Sequence, residues 1–255
     1  MAFSDLLRLI DERSAAFRTA VAAAPDLDAQ VPTCPEWTLF DLVQHVGVGR
    51  RKSAAIIAAG PADALPDKSI WENSPAAPRE TEAMLAWLAA ATQALLDALR
   101  EAGPDRGCWT WWGASQSPQT SGAVARHQLQ EIAVHTYDAQ LTVGAPQPLP
   151  EDVALDGVAE YMYTAAATTS PWPHKPVVVD FHTTEGPSCW RYTLSADGAR
   201  TTFLTAADED LADASAKGTA SDMVLAFYDR VPLDSLQLQG DRNQFDLIWA
   251  WNPDD

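Results

Sequence analysis

The side chains best suited to chemistry in this 255-residue chain lie in one helix-patterned stretch, Arg126-His127-Gln128-Leu129-Gln130-Glu131-Ile132-Ala133-Val134-His135-Thr136-Tyr137-Asp138. His127, Glu131 and His135 recur every four residues, so on an α-helix all three project from one face. Glu131 and His135, one turn apart, can reach the same cation. His127 lies about 12 Å along the axis from His135 at ~1.5 Å per residue, too far to share a small ion with it without strain. A four- or five-coordinate site must therefore borrow a ligand from a neighbouring helix. His45, in Leu42-Val43-Gln44-His45-Val46-Gly47, is the obvious lender. Its apolar neighbours predict that it faces inward, and Gly47 leaves room for close approach. Asp41, one turn before His45, and Asp138, three residues after His135, are placed to hold the imidazole rings in a ligating tautomer. The plainer alternatives are hydrogen-bonded core histidines and ordinary helix-surface carboxylates.

Helices must hold these residues, and the hydrophobic spacing supplies four of them. Residues 3–23 place Phe3, Leu6, Leu7, Ile10, Phe17 and Val21 on one stripe. After the Pro-rich turn VPTCPEW, a second helix opens at Thr38, runs through Leu39, Leu42, Val43 and Val46 toward Ile57, and ends at Gly60–Pro61. Residues 61–78 read as a loop. A third helix over about 79–101 stops at Gly103–Pro104, and the tryptophan-bearing loop CWTWWGASQSPQTSG leads into a fourth over about 120–143. Four such helices fit an antiparallel bundle. Beyond Pro150 the pattern changes: a helix over 151–168, strands at Val177–His182, Trp190–Leu194 and Thr201–Leu204, a helix at Ala220–Tyr228, a strand at Leu236–Gln239 and a terminal helix or strand at Gln244–Trp251. The expectation is a four-helix bundle over residues 1–147 followed by a small α+β domain over 148–255.

Composition narrows the partners. A formal net charge of −18 repels phosphate backbones and anionic lipid heads, so nucleic acid and membrane surfaces are excluded as partners. No apolar run approaches the ~18–20 residues of a bilayer span, and the N-terminus reads as an amphipathic helix, not a signal peptide. Cys34, Cys108 and Cys189 are odd in number and widely spaced, so they form no disulfide framework or close-spaced zinc pair. A cytoplasmic protein, monomeric or homodimeric, is expected.

The segment Cys34-Pro35-Glu36-Trp37-Thr38-Leu39-Phe40-Asp41-Leu42-Val43-Gln44-His45-Val46-Gly47 resembles the signature that opens the second helix in the mycothiol-dependent maleylpyruvate isomerase family, a branch of the DinB-like metalloenzyme bundles. Glu131-Ile132-Ala133-Val134-His135-Thr136-Tyr137-Asp138-Ala139 is similar to that family's second signature. The resemblance extends to the tryptophan-rich loop and to a C-terminal α+β domain of sterol-carrier-like type. It implies a divalent metal, usually zinc, on His45, Glu131 and His135, with mycothiol as thiol cofactor. One departure is Gln130, where the family often has histidine; it leaves the ligand set intact and puts maleylpyruvate as substrate in question.

Three protein ligands and an open position are the arrangement of a catalytic zinc. A thiol entering that position loses its proton and becomes a nucleophile. Reversible addition to a double bond leads to cis–trans isomerisation, and irreversible attack leads to S-conjugation; both readings stay open. Arg230, which ends a helix in the second domain, resembles a family arginine that closes over the metal and is the expected catalytic contact to an anionic group. Arg126 and Trp111 are expected to contact the thiol cofactor. Trp37 is read as stapling the start of the second helix, and Cys34 as a structural thiol. The alternatives are a non-enzymatic metal- or thiol-binding sensor or carrier on the same bundle, and a metal-free helical protein.

Overall fold

Side-chain caps start three of the four long N-terminal helices, and glycines stop two of them. The computed structural model describes residues 1–69, 73, 75–204 and 212–253. The chain forms two compact units, Met1–Trp111 with Pro118–Leu149, and Trp112–Ser117 with Pro150–Asp255. In the first unit, α1 (Phe3–Ala23) buries Leu6, Leu9, Ile10, Phe17 and Val21 along one stripe. A short antiparallel hairpin, β1 (Gln30–Val31) and β2 (Cys34–Thr38), stands where the sequence reads as a Pro-rich turn. It delivers Thr38 as the N-cap of α2 (Leu39–Ala59), in a capping box with Asp41. Glu80 caps α3 (Thr81–Ala102) through the backbone N–H groups of Glu82 and Ala83. Thr120 caps α4 (Ser121–Thr142) through that of Ala123. The expected loop over 61–78 agrees with the residues described there; residues 70–72 and 74 lie outside them.

These helices make the expected four-helix bundle, α1 packing chiefly on α4 and α2 chiefly on α3. The helix α4 is buried almost all round, so Gln128, Gln130, His135, Thr136 and Asp138 are carried into the interior with Leu129 and Ile132. Burying polar side chains is costly unless each is hydrogen-bonded or otherwise engaged. That concentration of polar groups marks α4 as the helix with a task besides packing.

The second unit is α+β. Its helix α5 (Glu151–Thr164) ends four residues short of the 151–168 expected from sequence, because Thr168 exchanges backbone hydrogen bonds with Ala199. Gly198 turns the chain there at φ 107°, and a Cβ on it would lie 2.2 Å from the Thr168 carbonyl oxygen. Strands β3 (Val177–Thr183), β4 (Cys189–Ser195), β5 (Gly198–Leu204), β6 (Ala214–Gly218) and β7 (Gln237–Gly240) form one sheet in the order β5-β4-β3-β6-β7. All neighbours are antiparallel except β3 and β6. The sequence gives no strand signal for β6: Ala-Ser-Ala-Lys-Gly lacks β-branched and aromatic residues. Helix α6 (Ala220–Phe227) packs on α5. The terminal element, open between helix and strand in the sequence, is the helix α7 (Arg242–Ala250). Among the described residues no helix is long and apolar enough to cross a membrane.

Candidate metal centre

Glu131 and His135 project from α4 toward His45 of α2, all within the first unit. One ligand-type atom from each lies within 4.8 Å of the other two. The Glu131 Oε2 atom is 3.8 Å from His45 Nε2 and 3.6 Å from His135 Nε2. Tetrahedral coordination with bonds of ~2.0–2.2 Å spaces such N and O atoms at about 3.4 Å, so each of these two contacts needs a contraction of only a few tenths of an ångström to share one ion. Two neutral imidazoles and one carboxylate suit a divalent cation of the zinc class. The three line a cleft of about 20 Å³ with Gly49, Arg50 and Gln128, the space of about one water-sized sphere. Cys34 is not part of the group.

His135 is held from behind. Its Nδ1 is 2.9 Å from Asp138 Oδ2, and Asp138 also accepts a hydrogen bond from Thr33 Oγ1 at 2.6 Å. Asp138 has no exposed surface. With Nδ1 engaged by the Asp138 carboxylate, Nε2 is the ring nitrogen that faces Glu131 and is available to an ion. Asp41 takes a different role from the one expected beside His45: its Oδ2 accepts from the Thr38 N–H and hydroxyl. The Thr38 hydroxyl, then its backbone N–H, hold the Asp41 carboxyl below its ordinary range. Asp41 therefore serves the helix start.

His45 keeps 42% of its side chain exposed, against the inward orientation that its apolar neighbours imply. It sits at the mouth of the cleft, and the Trp37 ring covers it at 4.7 Å between centroids. Trp37 also stands 6.2 Å from His135. It forms a wall of the site, where the sequence reading makes it a staple for the start of α2. The space at Gly47 belongs to another contact: a Cβ there would lie 1.8 Å from the Trp87 ring. Gly49, with nothing within 4 Å of a built Cβ, is the glycine lining the cleft.

His127 reaches the other oxygen of the same carboxylate, 3.6 Å from Glu131 Oε1. Burial pushes the Glu131 carboxyl up, but His45 as hydrogen-bond donor and the neighbouring His135, His127 and His45 together hold it well below the usual carboxylate range. Glu131 is thus a fixed anion. Trp111 meets His127 edge-on at 5.8 Å and is 55% exposed. It offers a surface face, whereas Trp112 is buried in the second unit. Arg126 is half-buried on α4; at five residues from Glu131 it points about 140° away around the helix. Gln130 is fully buried. Arg230 follows α6 in the second unit and donates from Nη1 to the Tyr228 carbonyl oxygen at 2.6 Å.

The residue missed by sequence reasoning is Arg50. It is 2% exposed and donates to the Gln128 carbonyl and Oε1 and to Ser14 Oγ, each at 3.3 Å. Desolvation lowers its pKa to about 10, opposed by the charge of Glu131. It lies five residues beyond His45 on α2, about 140° around the helix, so helical spacing contains no signal for it.

Fold and site together define a four-helix bundle with a His–Glu–His cluster drawn from two helices, followed in sequence by an α+β unit. Residues 7–140 match the mycothiol maleylpyruvate isomerase N-terminal domain, and residues 152–247 match the MDMPI C-terminal domain. The chain belongs to the mycothiol maleylpyruvate isomerase family, as the resemblance of its two signatures implies. Two solved structures share the fold. A histidine-to-alanine mutant of the mycothiol-dependent maleylpyruvate isomerase superimposes with a TM-score of 0.62 at 12% identity, covering 94% of this chain and 93% of that one. The mycothiol-dependent maleylpyruvate isomerase itself gives a TM-score of 0.61 at the same identity and coverage. Among curated proteins none matches.

Proposed function

We propose that the protein is a mycothiol-dependent enzyme that presents the thiol of its cofactor to a small electrophile, with zinc or another divalent ion held by His45, Glu131 and His135. The observation that carries the reading is the approach of two imidazole Nε2 atoms to one carboxylate oxygen, at 3.6 and 3.8 Å, beside a cleft with the space of about one water-sized sphere. A divalent ion in that set supplies one thing, a lowered pKa for a thiol entering its open position.

The remaining work falls to side chains. Asp138 keeps His135 in one tautomer and one orientation. Glu131, ionised throughout the physiological range, contributes the one negative charge of the ligand set. Trp37 covers the two imidazoles on one side and limits the approach of water there. Trp111, with its exposed indole, and Arg126 are assigned to the cofactor, and Arg230 to an anionic group of thiol or substrate. The family relationship supports an enzyme. Cis–trans isomerisation and S-transfer share the same first attack, and Gln130 leaves the choice of electrophile open.

The test is steady-state consumption of mycothiol against a panel of electrophiles, including cis-configured unsaturated acids. The expected result is turnover in the parent protein, lost on chelation, restored by zinc, and absent in His135→Ala. Thiol binding without turnover on any electrophile would instead make the protein a sensor or carrier.

A further inference from the structure

A second group of ligand-type side chains lies in the α+β unit, apart from the bundle cluster in sequence and chemistry. Asp180 and His182 are two residues apart on β3 and so share one face of the strand. Cys189 on β4 is the direct antiparallel partner of His182. One ligand-type atom from each of the three lies within 4.8 Å of the other two, and Cys189 Sγ is 3.9 Å from His182 Nε2. We propose that Asp180, His182 and Cys189 bind a thiophilic divalent ion of the zinc class.

The donor set is the first argument. A thiol, an imidazole and a carboxylate together select zinc-like ions over magnesium or calcium, which require oxygen ligands. The spacing is the second. Bonds of ~2.3 Å to sulfur and ~2.0 Å to nitrogen at a tetrahedral angle put S and N about 3.5 Å apart, so the observed 3.9 Å closes by a side-chain adjustment on a fixed register. The third is the support behind Asp180. Arg191, its cross-strand partner, donates from Nε at 2.8 Å and Nη2 at 2.7 Å, one bond to each carboxylate oxygen. A carboxylate has about four lone-pair positions, so the fork orients the group and leaves acceptor capacity on both oxygens. Ligating carboxylates are ordinarily steadied by such partners.

The surrounding charges are compatible with a cation. Asp180 and Arg191 neutralise each other, and a thiolate formed at Cys189 compensates half of a divalent charge. Lys217, opposite His182 on β6, is exposed to water and screened there. Asp180 and Cys189 are 0% and 1% exposed, while a groove of about 380 Å³ runs past Asp180, His182 and Ser215. Protein ligands therefore come from the sheet, and the fourth position opens to the groove. Binding releases the Cys189 proton to solvent, with no change of oxidation state.

Cobalt(II) distinguishes this site from the bundle cluster, because only a cysteine ligand produces a thiolate-to-cobalt charge-transfer band in the near ultraviolet. Metal-free full-length protein is titrated with cobalt(II) alone. The expected result is the band in the parent, retained in Cys34→Ser and in His135→Ala, where it saturates at one equivalent, and lost in both Cys189→Ser and His182→Ala with circular dichroism unchanged. Absence of the band in the parent overturns the proposal without recourse to any variant. So does a band that survives Cys189→Ser. In either case the 3.9 Å contact is a thiol–imidazole hydrogen bond, and the bundle centre is unaffected.

Discussion

Replacing Asp138 by asparagine isolates the support behind His135 with almost no change in shape. The carboxylate is fully buried, accepts from His135 Nδ1 at 2.9 Å and from Thr33 Oγ1 at 2.6 Å, and has no solvent to substitute for either bond. An amide in the same place can turn its N–H₂ toward Nδ1, which moves the ring proton to Nε2 and removes the lone pair directed at the metal position. Loss of such a carboxylate–histidine contact typically weakens metal binding by about 10–100-fold, or roughly 1.4–2.7 kcal/mol. Zinc affinity of Asp138→Asn is measured by competition with a chromophoric chelator, alongside Asp41→Ala. Asp41 is the matched control: its capping box stabilises α2, so its loss lowers folding stability and leaves zinc affinity within twofold of the parent. If Asp138→Asn binds zinc as tightly as the parent, or Asp41→Ala is the weaker binder, the assignment of roles to the two aspartates is wrong.

Three further outcomes follow from the geometry. Arg50→Ala leaves the Gln128 and Ser14 acceptors without their buried donor and opens a cavity; urea denaturation should show a loss of about 2–5 kcal/mol, and a loss below ~1 kcal/mol would contradict its structural placement. Gly47→Ala drives a methyl into the Trp87 ring, which Arg51 also clamps at 4.3 Å from the ring centroid; overpacking should cost about 1–3 kcal/mol, read as a lowered Tm, and an unchanged Tm would refute the contact. Metal affinity should fall as pH drops from neutrality into the mildly acid range, because protons compete with the metal for imidazole ligands. Glu131 stays ionised in that range, so the limiting slope of log affinity against pH is about two; a slope near zero would remove both histidines from the ligand set.

How far the sequence speaks depends on whether a feature is local. The bundle helices announce themselves because their caps and stops are encoded within a few residues: Thr38 with Asp41, Thr120, Gly60, Gly103. Glu131 and His135 were legible as a pair because four-residue spacing on one helix is a geometric statement. Their meeting with His45 depends on how α2 and α4 pack, which helical spacing suggests without fixing. Arg50 escaped notice because a buried arginine is recognised only from the Gln128 and Ser14 acceptors that surround it, and those come from other helices. Asp41 was misassigned for the opposite reason: one turn from His45, it also sits at the third helical position, where the capping box claims it. The strand β6 was invisible because its small residues fit between β3 and β7 by position in the sheet and not by propensity. The cluster of Asp180, His182 and Cys189 needs the β3–β4 register before it exists at all.

The most direct measurement is anomalous diffraction at the zinc edge from crystals of the protein grown with zinc. The expected result is a peak in the bundle bonded to His45 Nε2, a Glu131 carboxylate oxygen and His135 Nε2 at about 2.0–2.2 Å, with one coordination position filled by solvent or thiol. No peak between these three side chains, or one whose remaining position is closed by Cys34, would contradict it.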